Sequence, residues 1–161
     1  MDEAPKDDAP RLIGWREIVA IPDWGIEAIE AKVDTGARSS AIDVSQIEEL
    51  PDGRVRFHVA LDRAGELLSP AVETAVSRRV RIRSSLGHAH DRLIVRAHIQ
   101  VAGVDKEIEI GLVRRRRMLS RMLLGRLALQ GDFHVDPGRR YLFVKPARRK
   151  RKRRPASKDT P

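Results

Sequence analysis

An acid, a small hydroxyl residue and a glycine stand together at Asp34-Thr35-Gly36, directly after the Ile- and Val-rich run from Ile26 to Val33. That order suits activation of water by a carboxylate, which must be held at a fixed strand end. Gly36 lets backbone of a substrate or partner approach without a Cβ in the way. Thr35 can hydrogen-bond neighbouring backbone and stiffen the loop. Asp34, Thr35 and Gly36 are therefore the candidate catalytic residues. Over three residues alone, an Asp capping its own turn reads the same way, so the assignment needs a second motif.

Other chemistries find less support. His88-Ala89-His90-Asp91 would place two imidazoles on one face of a strand, a geometry that could grip a metal from two points. No His-Glu-x-x-His accompanies them, and a solvated hairpin tip is the simpler reading. His58, His98 and His134 stand singly on strand-like stretches and read as surface residues. No glycine-rich loop ends in Gly-Lys-Ser/Thr, so no phosphate cradle for ATP is present. The chain has no Cys, which removes disulfides, thiolate metal sites and thiol nucleophiles. Neither a metal nor a cofactor is expected.

The second motif is Leu123-Leu124-Gly125-Arg126. With it, the chain resembles the retropepsin-like aspartic peptidases, in which an Asp-Thr-Gly-Ala loop is followed, after a flap hairpin, by two apolar residues and Gly-Arg before a short helix. More narrowly, Ile13-Gly14-Trp15-Arg16-Glu17, Ala31 to Ala41, Arg83-Ser84-Ser85-Leu86-Gly87 and Leu124 through Pro137 resemble the bacterial group often labelled ATP-dependent zinc protease. The resemblance covers about residues 12–145. It implies an all-β, closed retropepsin-like barrel with one short C-terminal helix.

It also implies an aspartic endopeptidase in which two carboxylates share one proton and activate a water. This chain has one Asp-Thr-Gly, so the second Asp34 must come from a twofold-related copy in a homodimer. Peptides or proteins are the implied substrates. Ala37 and Arg38 beside the loop, and Ser84, Ser85 and Gly87 on a flap, are the implied substrate-binding residues. The flap tip is expected near Ser84 to His90, with Arg63 to Ser69 as the other candidate. One position departs from the retroviral pattern: Arg38 stands where those enzymes carry an acid that pairs with the Arg of Gly-Arg, so Arg126 is expected to face a like charge.

The elements that must position these residues read as strands. Val55, Phe57, Val59 and Leu61 alternate with polar neighbours, as do Val80 and Ile82, and Leu93 through Val101. Leu12–Ile21 and Ile26–Val33 flank the turn-forming Pro22-Asp23 and Gly25, with Trp15 and Trp24 as anchors near that hairpin. Val104–Val113 is a further strand entered through Gly103. Met122–Gln130 reads as a short amphipathic helix. Many short strands between turn signals argue for a closed or sandwich-like β domain.

Composition sets the outer limits. The 161 residues, 41% hydrophobic and 34% charged, suit one domain with tails. The net charge is +9, but residues 145–161 hold nine Lys or Arg against one Asp, which leaves +1 for residues 1–144. Residues 1–11 read as a disordered leader, 12–145 as the domain and 146–161 as a disordered basic tail. The run Arg148–Arg154 would bind polyanions weakly and without sequence preference; lacking aromatic residues, it offers no base stacking. Arg114 to Arg117 reads as a solvated bend or a substrate-attracting rim. No run is long and apolar enough for a bilayer, and Met1–Pro10 lacks a signal-peptide core, so a cytoplasmic protein without membrane contact is expected. The alternative to a peptidase is a non-catalytic dimeric adaptor of the same fold, whose basic tail binds nucleic acid or acidic proteins.

Overall fold

Aliphatic residues at alternate positions turn inward along nearly every long strand of this chain, and that alternation sets the architecture. The computed structural model describes residues 9–114 and 120–147; the Arg115–Arg117 part of the rim and the Arg148–Arg154 run lie outside them. In chain order the strands are β1 (Arg11–Gly14), β2 (Arg16–Ile21), β3 (Ile26–Val33), β4 (Ser40–Leu50), β5 (Arg54–Val59), β6 (Val72–Arg83), β7 (Ala89–Val101), β8 (Val104–Val113) and β9 (Met122–Leu124). A four-residue helix α1 (Arg126–Leu129) and strand β10 (Phe133–Asp136) complete the described elements.

Eight strands form one sheet in the order β2-β3-β9-β4-β5-β6-β7-β8. Two further pairings return the sheet on itself: Ala20 of β2 meets Gln100 of β7, and Ser40–Asp43 of β4 run parallel to Ile110–Val113 of β8. The remaining strands, β1 and β10, pair parallel as a separate two-stranded sheet, with Arg11 already in register with Phe133. The architecture is all-β with one short helix, as the resemblance implied. No described helix is long and apolar enough to cross a membrane.

The core lies inside the ring. Val19, Ile21, Ile29, Ile42, Val55, Phe57, Val95, Ile99, Ile110, Met122 and Leu124 are fully buried. The β2–β3 hairpin turns through a single 3-10 turn at Pro22–Trp24, closed by Gly25 in the left-handed region (φ +65°). That turn drives Trp24 inward, where it meets Phe57 edge-on with centroids 5.3 Å apart. Trp15 instead carries the Arg16 guanidinium over its ring at 4.5 Å.

Two elements differ from the sequence reading. Met122–Gln130 is not one helix: Met122–Leu124 extend as β9, and only Arg126–Leu129 coil. Pairing to strands on both sides overrides the local amphipathic pattern, because a short helix gains little on its own. Strand β4 was not legible as a strand, since buried Ser40 and Asp43 interrupt its apolar positions. Its middle also bends, with Gln46 at φ +53° and a bulge between Ser45 and Glu48.

Replacing Phe57 by Ala empties the site against Trp24. We expect a loss of about 3–5 kcal/mol in unfolding free energy, measured by denaturant titration with Trp fluorescence as the signal.

Candidate functional site

The Asp34 loop is fixed by a strand that arrives from far along the chain. β3 runs into Asp34, and β4 begins six residues later at Ser40. Between these two strands lies β9, parallel to β3 (Ala31 with Met122, Lys32 with Leu123, Val33 with Leu124) and antiparallel to β4 (Ala41 with Leu123, Ile42 with Met122). The parallel ladder continues one step past β3, where the Asp34 amide donates to the Leu124 carbonyl at 2.9 Å.

Past β9 the chain crosses beneath the loop. The Arg126 amide donates to the Ala37 carbonyl at 2.8 Å and the Leu127 amide to the Arg38 carbonyl at 3.1 Å. The Ser40 hydroxyl receives the Gly125 amide at 3.1 Å. Gly125 is required by close approach, since a Cβ there would stand 2.5 Å from the Ser39 carbonyl.

Within the loop, Asp34 Oδ1 accepts the amides of Gly36 at 3.0 Å and Ala37 at 3.3 Å. Two donors on one oxygen fix the carboxylate plane, and Oδ2 has no hydrogen-bond partner among the described residues. Asp34 is half-buried, whereas Thr35 and Gly36 are exposed. The carboxylate is thus oriented by its own loop and open on one side.

Arg126 does not spend its charge against Arg38. Its Nη1 donates to the carbonyls of Thr35 at 3.3 Å and Gly36 at 3.2 Å. Carbonyl lone pairs can accept from a guanidinium without a counter-charge.

The β6–β7 hairpin ends in a tight turn: the Ser84 amide donates to the His88 carbonyl at 2.8 Å, and Gly87 takes φ +82°. Residues Arg83 to Asp91 are all exposed, Leu86 to 84%. This places Ser84, Ser85 and Gly87 together at a projecting tip. His88 falls in the turn and His90 on β7 opposite Ile82, so the two do not share a strand. Among the described residues no group of three His, Asp or Glu is arranged to hold a metal ion.

The other flap candidate, Arg63 to Ser69, is folded down. The Asp62 carboxylate accepts the amides of Glu66 and Leu67, and Arg121 holds this loop from below. Arg121 donates Nε to the Asp62 carbonyl at 2.8 Å and Nη2 to the Arg63 carbonyl at 2.6 Å. Its Nη1 pairs with Asp43, and the two side chains are only 5% and 7% exposed. The Asp43 amide in turn donates to the Arg121 carbonyl at 2.8 Å.

Sequence reasoning missed this brace. The signal was an Arg directly before the apolar run Met122-Leu123-Leu124 and an Asp inside Ile42-Asp43-Val44, each a charge where a strand wants an apolar residue. His58 and His98, read as plain surface residues, carry contacts as well: His58 Nδ1 lies 2.8 Å from the Ser69 carbonyl. The His98 amide and ring bond Asp23, whose carboxyl is held below its usual range chiefly by that amide.

A ring-like β sheet whose acidic loop is pinned by a strand inserted between the loop's own flanking strands defines the retropepsin-like class. Within that class the chain belongs to the RimB-like family, described as retropepsin-like aspartic endopeptidase RimB, which matches residues 12–146. Curated relatives include a "Probable alpha-L-glutamate ligase" of Shewanella pealeana, 34% identical over 129 residues that cover 78% of this chain and 28% of that one. A protein of the same name from Desulfotalea psychrophila is 33% identical over 135 residues, 82% of this chain and 29% of that one. The chain therefore spans less than a third of the length of these relatives. Among solved structures, the Legionella pneumophila protein Lpg0085, of unknown function, superposes with a TM-score of 0.69 at 24% identity, over 83% of this chain and 98% of that one. That likeness supports the fold.

Exchanging Arg121 for Met would strip the guanidinium from the buried Asp43 and release the Asp62 and Arg63 carbonyls. We expect a destabilisation of about 3–5 kcal/mol, read from the shift in denaturation midpoint at constant slope.

Proposed function

We propose that the chain is an aspartic endopeptidase that works as a homodimer, with Asp34 from each copy forming the catalytic pair. The observation that carries the reading is the state of Asp34: Oδ1 is committed to two loop amides, while Oδ2 is left without a described partner at an open face. A carboxylate so oriented is prepared to meet a second one across a twofold axis. Two such groups about 3 Å apart cannot both ionise, and they titrate as a pair.

The chemistry follows from that shared proton. The ionised carboxylate removes a proton from the water between the two. The water oxygen attacks the peptide carbonyl, and the protonated carboxyl gives its proton to the carbonyl oxygen, producing a neutral gem-diol. Transfer of a proton to the amide nitrogen then lets the C–N bond break, leaving an acid and an amine and restoring one proton on the pair. No covalent intermediate forms. Thr35 and Gly36 supply the loop backbone, Ala37 and Arg38 border it, and the Ser84–Gly87 tip closes over the substrate as a flap.

The relatives suggest which peptides are cut. A domain similar to this one occurs in longer chains named for glutamate ligation. A peptidase that accompanies such an activity would act on peptides containing glutamate added by it.

Asp34→Asn is the test, with mixed peptides of unconstrained sequence and glutamate-rich peptides read by mass spectrometry over roughly pH 4 to 8. We expect cleavage by the wild type, none by the variant, and unchanged dimerisation by sedimentation. Equal cleavage by both proteins, or a strictly monomeric active protein, would refute the mechanism.

A further inference from the structure

Three charged side chains are buried among the described residues: Glu17, Asp43 and Arg121. Asp43 and Arg121 pair with one another. Glu17, only 1% exposed, meets no cation among the described residues. Its place on the strand is unusual too. β2 turns Val19 and Ile21 into the core, and Glu17 stands on that same side, in register with the buried Ala31. A strand wants an apolar residue there, and a carboxyl group is costly to bury unless hydrogen bonds receive it.

The bonds that receive it come from two stretches of backbone, one of them 125 residues away. Glu17 Oε1 accepts the Gly14 amide at 2.7 Å and the Leu142 amide at 3.2 Å. Leu142 belongs to a strap that follows β10 and runs back along β2. The Trp15 amide donates to the Arg139 carbonyl at 2.9 Å, and the Tyr141 amide to the Arg16 carbonyl at 2.8 Å. The strap lies so close that a Cβ on Gly14 would stand 2.6 Å from the Arg140 Cα. Tyr141 takes φ +52° in this crossing, and its hydroxyl bonds Glu30 and Arg16. A residue other than glycine keeps that conformation only where its surroundings enforce it.

Trp15 connects this strap to the Asp34 loop. Its amide holds the strap, and its carbonyl accepts the Val33 amide at 2.8 Å. The next amide along β3, that of Asp34, is the one bonded to Leu124. β9 therefore fixes the loop from one side of β3, while the strap, through Trp15, fixes the last residue of β3 from the other. Glu17 is the acceptor that closes the strap. Without it the Leu142 amide loses its partner, and Tyr141 loses part of what enforces its conformation.

We infer that Glu17 is a positioning residue for the Asp34 site: its carboxyl group locks the 139–142 strap onto β2, and the locked strap holds Trp15 and Val33 where the Asp34 carboxylate must stand to meet its twofold mate. The inference rests on the peptidase reading of Asp34 and adds to it a residue that touches neither substrate nor the reacting atoms. A misplacement of about 1 Å at a catalytic group can cost on the order of a hundredfold in rate. Binding of the intact peptide by the rest of the cleft does not depend on that placement, so kcat is the parameter that falls while KM is kept.

The experiment uses the full chain with three substitutions. In Glu17→Gln the side-chain oxygen can still accept both amides. Glu17→Leu keeps the bulk and loses the acceptor. Glu17→Asp keeps a carboxylate that is one methylene short of spanning both amides, and it serves if Glu17→Leu fails to fold. Cleavage of the peptide used best by the wild type gives kcat and KM, and hydrogen exchange read by mass spectrometry gives local protection. We expect Glu17→Leu to lose about tenfold in kcat at unchanged KM, Glu17→Gln to stay within about twofold of the wild type, and Glu17→Asp to fall between. In Glu17→Leu exchange should quicken over residues 14–17, 31–37 and 139–142, while β5 to β7 stay as protected as in the wild type.

An unchanged kcat in Glu17→Leu with the strap loosened would overturn the positioning role and leave the peptidase standing. Exchange that quickens through β5 to β7 as well would make Glu17 a general stabiliser, and would overturn it too. No cleavage by the wild type would reject the peptidase reading by itself. The coupling of Glu17 to the loop would then be upheld if residues 31–37 loosen in Glu17→Leu and recover in Glu17→Gln, and refuted if they do not.

Discussion

Everything at the Asp34 loop depends on β9 being inserted between β3 and β4. A strand of three residues has no stability of its own; it persists because Met122 and Leu124 are fully buried and both its edges are hydrogen-bonded. In return it anchors the Asp34 amide, carries the chain under Ala37 and Arg38, and delivers Arg126 to the Thr35 and Gly36 carbonyls. The loop is therefore held by backbone from a segment about 90 residues away, with little reliance on side-chain packing. Such a contact closes a long loop, and the cost grows only slowly with length.

The Arg121–Asp43 pair sits at the other end of the same strand. A buried ion pair is weak evidence for stability, because desolvation offsets much of the attraction. Its value here is in geometry. One guanidinium joins β4, the start of β9 and the Asp62–Arg63 backbone, so that the inserted strand cannot slip relative to its neighbours. A one-residue slip would turn Leu123 inward and Met122 and Leu124 outward, and would carry the Leu124 carbonyl away from Asp34. The two charged residues thus add to the register that the buried Met122 and Leu124 already favour.

Charge is organised on a second level. The hairpin base formed by β6, β7 and β8 is laced with pairs between arginines and Glu49, Glu107 and Glu109, each worth little singly because it is exposed. Beside Asp34, Arg126 meets carbonyls instead of a carboxylate.

By itself the sequence determined the all-β class, through aliphatic alternation on β5, β6 and β7, and the loop Asp34-Thr35-Gly36, through the joint presence of Leu123-Leu124-Gly125-Arg126. Those features are local: a period of two, a turn signal, two short motifs. It did not determine β4, whose buried Ser40 and Asp43 break the period, nor β9, whose three residues read as part of a helix. It pointed to a repulsion between Arg38 and Arg126 and gave no sign of the bonds that Arg126 makes to the Thr35 and Gly36 carbonyls. The Arg121–Asp43 brace and the pairing of β1 with β10 were equally invisible. All of these are settled by partners distant in sequence, since a short segment takes the conformation that satisfies its neighbours' hydrogen bonds, and pattern along the chain does not record which neighbours those will be.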